Sequence, residues 1–201
     1  MSLVELIAQA DERGLAASGL ACLDRCVPVL GGDGGDDDLL RPLWARLADG
    51  GDWGGPLADA RSALDAAGDP AGRVRGTSGE AAALARRMLD AVPAAHSGAA
   101  VREWADGCSV AALQVHRLLD TEPAGTRSVA ARREGRTDGM SPLVAAELRR
   151  QVRILELLSN KGAGPIGGLR QALDVSTEGR RVLRAVVSRR ARGSAEGLTS
   201  C

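Results

Sequence analysis

The chain contains neither tyrosine nor phenylalanine, and its aromatic residues are Trp44, Trp53 and Trp104. A core for 201 residues must therefore be built from Leu, Val and Ala. Ala and Leu are strong helix formers, whereas strands favour aromatic and β-branched side chains. No convincing apolar run of period two occurs anywhere in the chain. The expectation is an all-α protein, a helical bundle followed by a smaller basic helical unit.

The stretch from Ser141 to Gly162 carries helical signals at both ends. Ser141 is a good N-cap residue, Pro142 suits the first helical position, and Gly162 supplies a stop. At 100° per residue, Val144, Leu148, Val152, Leu155 and Leu158 fall in one apolar sector. Leu143, Ile154 and Leu157 form a second strip beside it, and Arg149, Arg153 and Glu156 take the opposite side. Two strips call for neighbours on two sides, inside one domain or across a dimer interface. Three strongly apolar turns are too few for a coiled coil.

Further helices follow from local signals. Ser2 with Glu5 reads as a capping box, and so does Thr77 with Glu80. Residues 15–27 are apolar nearly all round, broken by Ser18, Asp24 and Arg25, which predicts a buried helix. Pro42 and Pro56 mark first turns, and Ser97 opens a long helix bearing Val101, Trp104, Cys108, Val115 and Leu119. Residues 121–140 are polar, rich in Gly and Arg and without apolar period, as a linker is. The expected organisation is an acidic helical bundle over 1–120, a linker over 121–140, a basic three-helix unit over 141–192 and a flexible tail over 193–201.

The 26 basic and 26 acidic residues cancel overall, but not locally. Residues 1–140 hold 15 basic and 21 acidic residues, whereas 141–201 hold 11 and 5. Such asymmetry points to an anionic partner at the basic end, or to two halves that attract each other. Arginine outnumbers lysine so heavily that base composition, as much as function, sets its abundance. Met1 to Ala10 lacks a basic leader and carries Glu5, and no run approaches membrane-spanning length. With Cys22, Cys26, Cys108 and Cys201 scattered, a cytoplasmic location is expected.

In the basic end, ILELLSNKG, PIGGLRQALDVS and TEGRRVLRAVV read as helix, short helix, tight turn and helix. That order resembles a helix-turn-helix or winged-helix DNA-binding module. The resemblance implies DNA contacts from Arg180, Arg181, Arg184, Arg189 and Arg190. Arg180 stands where such a motif returns to an apolar residue, and no wing strands follow it.

Other groupings read as structural. Cys22 and Cys26 lie one turn apart, but Cys108, His96 and His116 are isolated from them, so buried thiols are expected and not a metal site. His116 with Asp120 is a common surface spacing. Asp33, Asp36, Asp37 and Asp38 lack the alternation of a calcium loop, and the glycines of 161–168 lack a phosphate-loop ending. No catalytic, cofactor-binding or metal residue is assigned. The expected function is therefore non-enzymatic: a regulator or adaptor that binds another protein, or itself, through Val144, Leu148, Val152, Leu155 and Leu158. The alternatives are a DNA-binding transcriptional regulator acting through 141–192, and an enzyme whose site is assembled from residues distant in sequence.

Overall fold

A computed structural model describes residues 1–31, 39–67, 76–93, 98–121, 128–160 and 164–199. Among these residues the secondary structure is entirely helical. The helices are α1 (Leu3–Gln9), α2 (Glu12–Cys26), α3 (Arg41–Asp49), α4 (Gly54–Ala67) and α5 (Thr77–Asp90). They continue with α6 (Gly98–Leu119), α7 (Val129–Arg133), α8 (Pro142–Ser159) and α9 (Gly164–Thr199), and a 3₁₀ turn at Val27–Val29 follows α2. Ser97, Gly162, His96, the four clustered aspartates and Cys201 lie outside the described residues, as does 122–127 of the expected linker.

The bundle is organised around α2, in which every residue from Gly14 to Cys26 is buried. A helix that is apolar all round is stable only when surrounded, and α3, α5, α6, α8 and α9 supply the surroundings. Each fully buried leucine contributes roughly 1.5–3 kcal/mol, and Leu15, Leu20 and Leu23 are among them. The long α6 packs along α2 at close range. A Cβ on Gly19 would stand 2.6 Å from the Trp104 ring, so a residue without a side chain is needed at that crossing. Trp104 donates its indole N–H to the Met88 carbonyl at 2.9 Å, and meets Trp53 edge to face at 5.8 Å. Two of the three aromatic residues thus pin α5 and the start of α4 to the α2–α6 layer.

Several local expectations hold and others are corrected. Ser2 and Glu5 form the capping box reciprocally. At α5 the N-cap is Gly76, whose φ of 74° suits glycine, and Thr77 is already helical. Ser141 occupies the N-cap of α8, but its hydroxyl makes no capping bond. Within 128–140, part of the expected linker, Ser128 caps α7 and both Arg132 and Arg133 are buried. The short helix and following helix expected over 165–174 and 177–190 are one continuous element, α9. The intervening Val175 and Ser176 include no glycine or proline to break it, and the Ser176 hydroxyl shares its proton between the Ala21 carbonyl at 3.1 Å and Asp24 at 2.8 Å.

Val144, Leu148, Ile154, Leu155, Leu169, Ala172 and Leu183 share one hydrophobic cluster with Leu15, Leu20 and Leu113. Apolar side chains on the two sides of the expected 121–140 boundary therefore pack together.

Candidate functional site

Two features stand out against this apolar frame: a polar network sealed inside it and a groove on its outer face. The network starts from Arg25 on α2, whose side chain is 0% exposed. Arg25 clasps Glu147 of α8 with two parallel hydrogen bonds, Nε to Oε2 at 2.8 Å and Nη2 to Oε1 at 2.6 Å. The amide of Gln151, one turn further along α8, donates to the same carboxylate at 2.8 Å. Ser109 of α6 donates to the Gln151 side-chain oxygen at 2.6 Å and accepts from Arg133 at 3.1 Å, and Arg133 pairs with Asp106. The chain of bonds thus runs from α2 through α8 and α6 to α7.

Burial alone would raise the Glu147 carboxyl, but the Arg25 guanidinium, His116 and the hydrogen bonds hold it down at about 2. His116 directs Nδ1 at the Ala112 carbonyl, 2.7 Å away, so that nitrogen carries the proton. Its Nε2 lies 3.5 Å from Glu147 Oε2. Burial lowers the imidazole pKa against the pull of Glu147, and the ring is neutral near neutral pH.

Asp24, next to Arg25 in sequence, faces the other way. It accepts from Arg180 at 2.6 Å and from Ser176 at 2.8 Å, both on α9. Here burial outweighs the guanidinium, and the Asp24 carboxyl is raised above its ordinary range. Between these two pairs α9 comes close to α2, because a Cβ on Gly179 would stand 2.3 Å from Arg25 Cδ and 2.9 Å from Arg150 Cδ.

This network can hold five segments in register, but it cannot meet a substrate as it stands. Arg25, Glu147 and His116 are each 0% exposed and Gln151 is 1% exposed. Cys22, Cys26 and Cys108 are buried thiols, and desolvation pushes Cys22 up to about 12, the wrong direction for a nucleophile. Among the described residues, no group of three or more His, Cys, Asp or Glu is placed to hold a metal ion.

The residues singled out from sequence are placed as follows. Val144, Leu148 and Leu155 belong to the core, and Val152 and Leu158 pack against it. Arg180 is committed to Asp24, and Arg190 donates to the Leu119 carbonyl at 3.2 Å and to the Thr77 hydroxyl at 2.8 Å. Arg181 and Arg189 are exposed and Arg184 is half-buried. Glu147 and Gln151 lie outside the residues that periodicity marks, yet two polar residues at i, i+4 beside apolar strips are a readable signal of an internal partner.

The outer face of the α5–α6 pair carries a groove of about 650 Å³ lined by Leu84, Met88, Trp104, Gly107, Val110 and Ala111 among others. It continues past Leu84, Arg87 and Gln114 into a second hollow of about 700 Å³ that reaches Thr77, Arg117 and Asp120. The lining includes one face of each helix, 77, 80, 84, 87 and 91 on α5 and the residue following it, and 100, 103, 107, 110, 114 and 117 on α6, together with neighbouring positions such as Met88, Trp104, Cys108 and Ala111. No helix among the described residues is long and apolar enough to cross a membrane. Compared with known proteins, the chain matches no family model, no curated protein and no solved structure, so its functional reading rests on its own geometry.

Proposed function

We propose that this is a non-enzymatic helical interaction protein, a regulator or adaptor, whose binding face is the α5–α6 groove. The observation that carries the reading is the groove itself, apolar along its floor and lined on both walls at helical spacing. That is a face against which a partner's helices can pack, with contacts recurring at i, i+3 or i+4 and i+7. The sealed network supports the same reading, because its charges are spent on one another and hold the frame rigid behind the groove. A cytoplasmic location fits the free thiols of Cys22, Cys26 and Cys108.

Gly107 gives a clean test, because a Cβ added there has no neighbouring atom within 4 Å. A side chain at this position fills the groove without touching the core. Gly107→Arg should abolish capture of a protein partner that cross-linking maps to α5 and α6, with the circular dichroism spectrum unchanged. Capture that persists in Gly107→Arg, or cross-links confined to other helices, would remove the groove from the function.

A second reading is favoured by the arginines along α9. Arg181, Arg189 and Arg192 are exposed on one side of that helix, which suits contact with nucleic-acid phosphates. Under it, DNA affinity falls steeply with salt and weakens further in Arg181→Ala with Arg189→Ala. A salt-independent or absent interaction rejects it.

A further inference from the structure

Four exposed charged side chains frame the α5–α6 groove: Glu80 and Arg87 on α5, Glu103 and Arg117 on α6. The Trp104 to Met88 hydrogen bond fixes the register of this antiparallel helix pair. Glu103 consequently lines the first hollow, Glu80 and Arg117 line the second, and Arg87 borders both, on the Glu103 side of the Ala83–Leu84 midpoint. None of the four side chains makes an ion pair with another described residue. Asp120 and Arg190 stand at the second end, but each already has an interaction within the chain.

The four charges form a checkerboard, with like signs on the diagonals. Two copies that meet face to face are related by a two-fold axis lying in the contact plane. If that axis crosses the helices, α6 lies antiparallel to its counterpart about Val110. Glu103 and Arg117 are each seven residues from Val110, so Glu103 meets the partner's Arg117. Glu80 and Arg87 straddle the Ala83–Leu84 midpoint of α5 in the same way. If the axis runs along the helices, Arg87 meets the partner's Glu103 and Glu80 meets the partner's Arg117. Both acids on one helix, or both at one end, would put like charges together in one of these arrangements. The checkerboard is complementary to itself in either.

The middle of the face suits close approach. Gly107 and Ala111 are one turn apart, and the direction of the missing Gly107 side chain is open. Glycine within a helix costs roughly 0.5–1 kcal/mol relative to alanine, so its place at an exposed crossing point weakens the isolated chain and favours a close neighbour.

We infer that the α5–α6 face binds a second copy of this chain, forming a two-fold dimer held by an apolar centre and four symmetric ion pairs. The inference rests on the reading that this face is the binding face, and names its occupant. Sedimentation equilibrium of the full chain, from nanomolar to high micromolar concentration, should show reversible dimerisation. Glu103→Arg should weaken it about tenfold or more, because like charges then face each other twice. Adding Arg117→Glu restores the dimer if the axis crosses the helices, and adding Arg87→Glu restores it if the axis runs along them. A wild-type chain that stays monomeric throughout overturns the inference, as does a dimer indifferent to both Glu103→Arg and Gly107→Arg. A monomer that still captures another protein in a Gly107-sensitive manner overturns self-association and leaves the binding face standing. A monomer that captures nothing there overturns both.

Discussion

Asp24 and Arg25 are consecutive residues on the same buried helix, carry opposite charges, and each binds a partner far along the chain. Their electrostatics nevertheless differ. Arg25 and Glu147 meet through two parallel bonds, and Gln151 adds a third to the carboxylate, which holds Glu147 at about 2. Asp24 receives one bond from Arg180 and one from Ser176, and its carboxyl is raised. Two buried carboxylates with neighbouring partners thus shift in opposite directions. What decides the sign is whether the guanidinium charge, helped by the converging donors, outweighs the water the carboxylate has lost: it does at Glu147 and does not at Asp24. The Arg25–Glu147 pair is bound firmly enough to fix the approach of α8, whereas the Asp24 pair orients α9 at a net electrostatic cost to the carboxylate.

The largest expected effect follows from removing one member of the stronger pair. Glu147→Leu strands the Arg25 guanidinium in the core and should cost about 3–5 kcal/mol in urea unfolding. The double variant Arg25→Met with Glu147→Leu removes both charges and should recover most of that loss. Asp24→Asn keeps an acceptor oxygen for Arg180, and its amide can donate to the Ser176 hydroxyl, which still reaches the Ala21 carbonyl, so it should cost roughly 1 kcal/mol. An Asp24→Asn loss equal to that of Glu147→Leu would erase the distinction between the pairs.

A smaller effect tests the packing that keeps the pairs apart. Gly179 lies over the Arg25 stem, where an added Cβ would stand 2.3 Å from Cδ. Gly179→Ala must displace Arg25 or lift α9, and should cost about 1–3 kcal/mol. The same substitution at Gly107 meets nothing within 4 Å and should instead stabilise by roughly 0.5–1 kcal/mol. If both alanines stabilise, α9 does not depend on close approach at this point.

How far the sequence discloses these features depends on the range of the physics involved. The Ser2–Glu5 box, the apolar α2 and the helix after Pro142 rest on neighbours within a few residues, and they are readable. That Asp24 and Arg25 interrupt α2 is equally plain, and charges on an apolar helix imply opposite charges elsewhere. Their partners lie 156 and 122 residues away, a separation that no spacing rule reaches. The strip of Val144, Leu148 and Leu155 correctly signals burial, but periodicity cannot say whether the cover comes from this chain or another. Similarly, Arg180 looks like any exposed arginine until the fold brings it to Asp24. The groove was unreadable for the opposite reason: it is a space between two helices, and its floor includes a glycine that periodicity counts only as a weak point.

The finest discrimination between the pairs lies in the pH dependence of stability. An unfolded chain takes a proton on His116 as pH falls through about 6.5, whereas the buried ring resists it, so folding weakens below that pH. Glu147 acts in the same direction lower down. Its contribution is complete above about 4.5 and is lost as pH falls toward about 2. Asp24 acts in the opposite direction, because its folded carboxyl takes up a proton before the unfolded one and relieves a cost as pH falls. Urea midpoints measured across the acid range should therefore fall less steeply in His116→Gln than in the unsubstituted protein. They should fall more steeply in Asp24→Asn, which lacks the relieving group. If Asp24→Asn flattens the acid limb instead, its carboxylate is stabilised like that of Glu147, and the two ion pairs on α2 are of one kind.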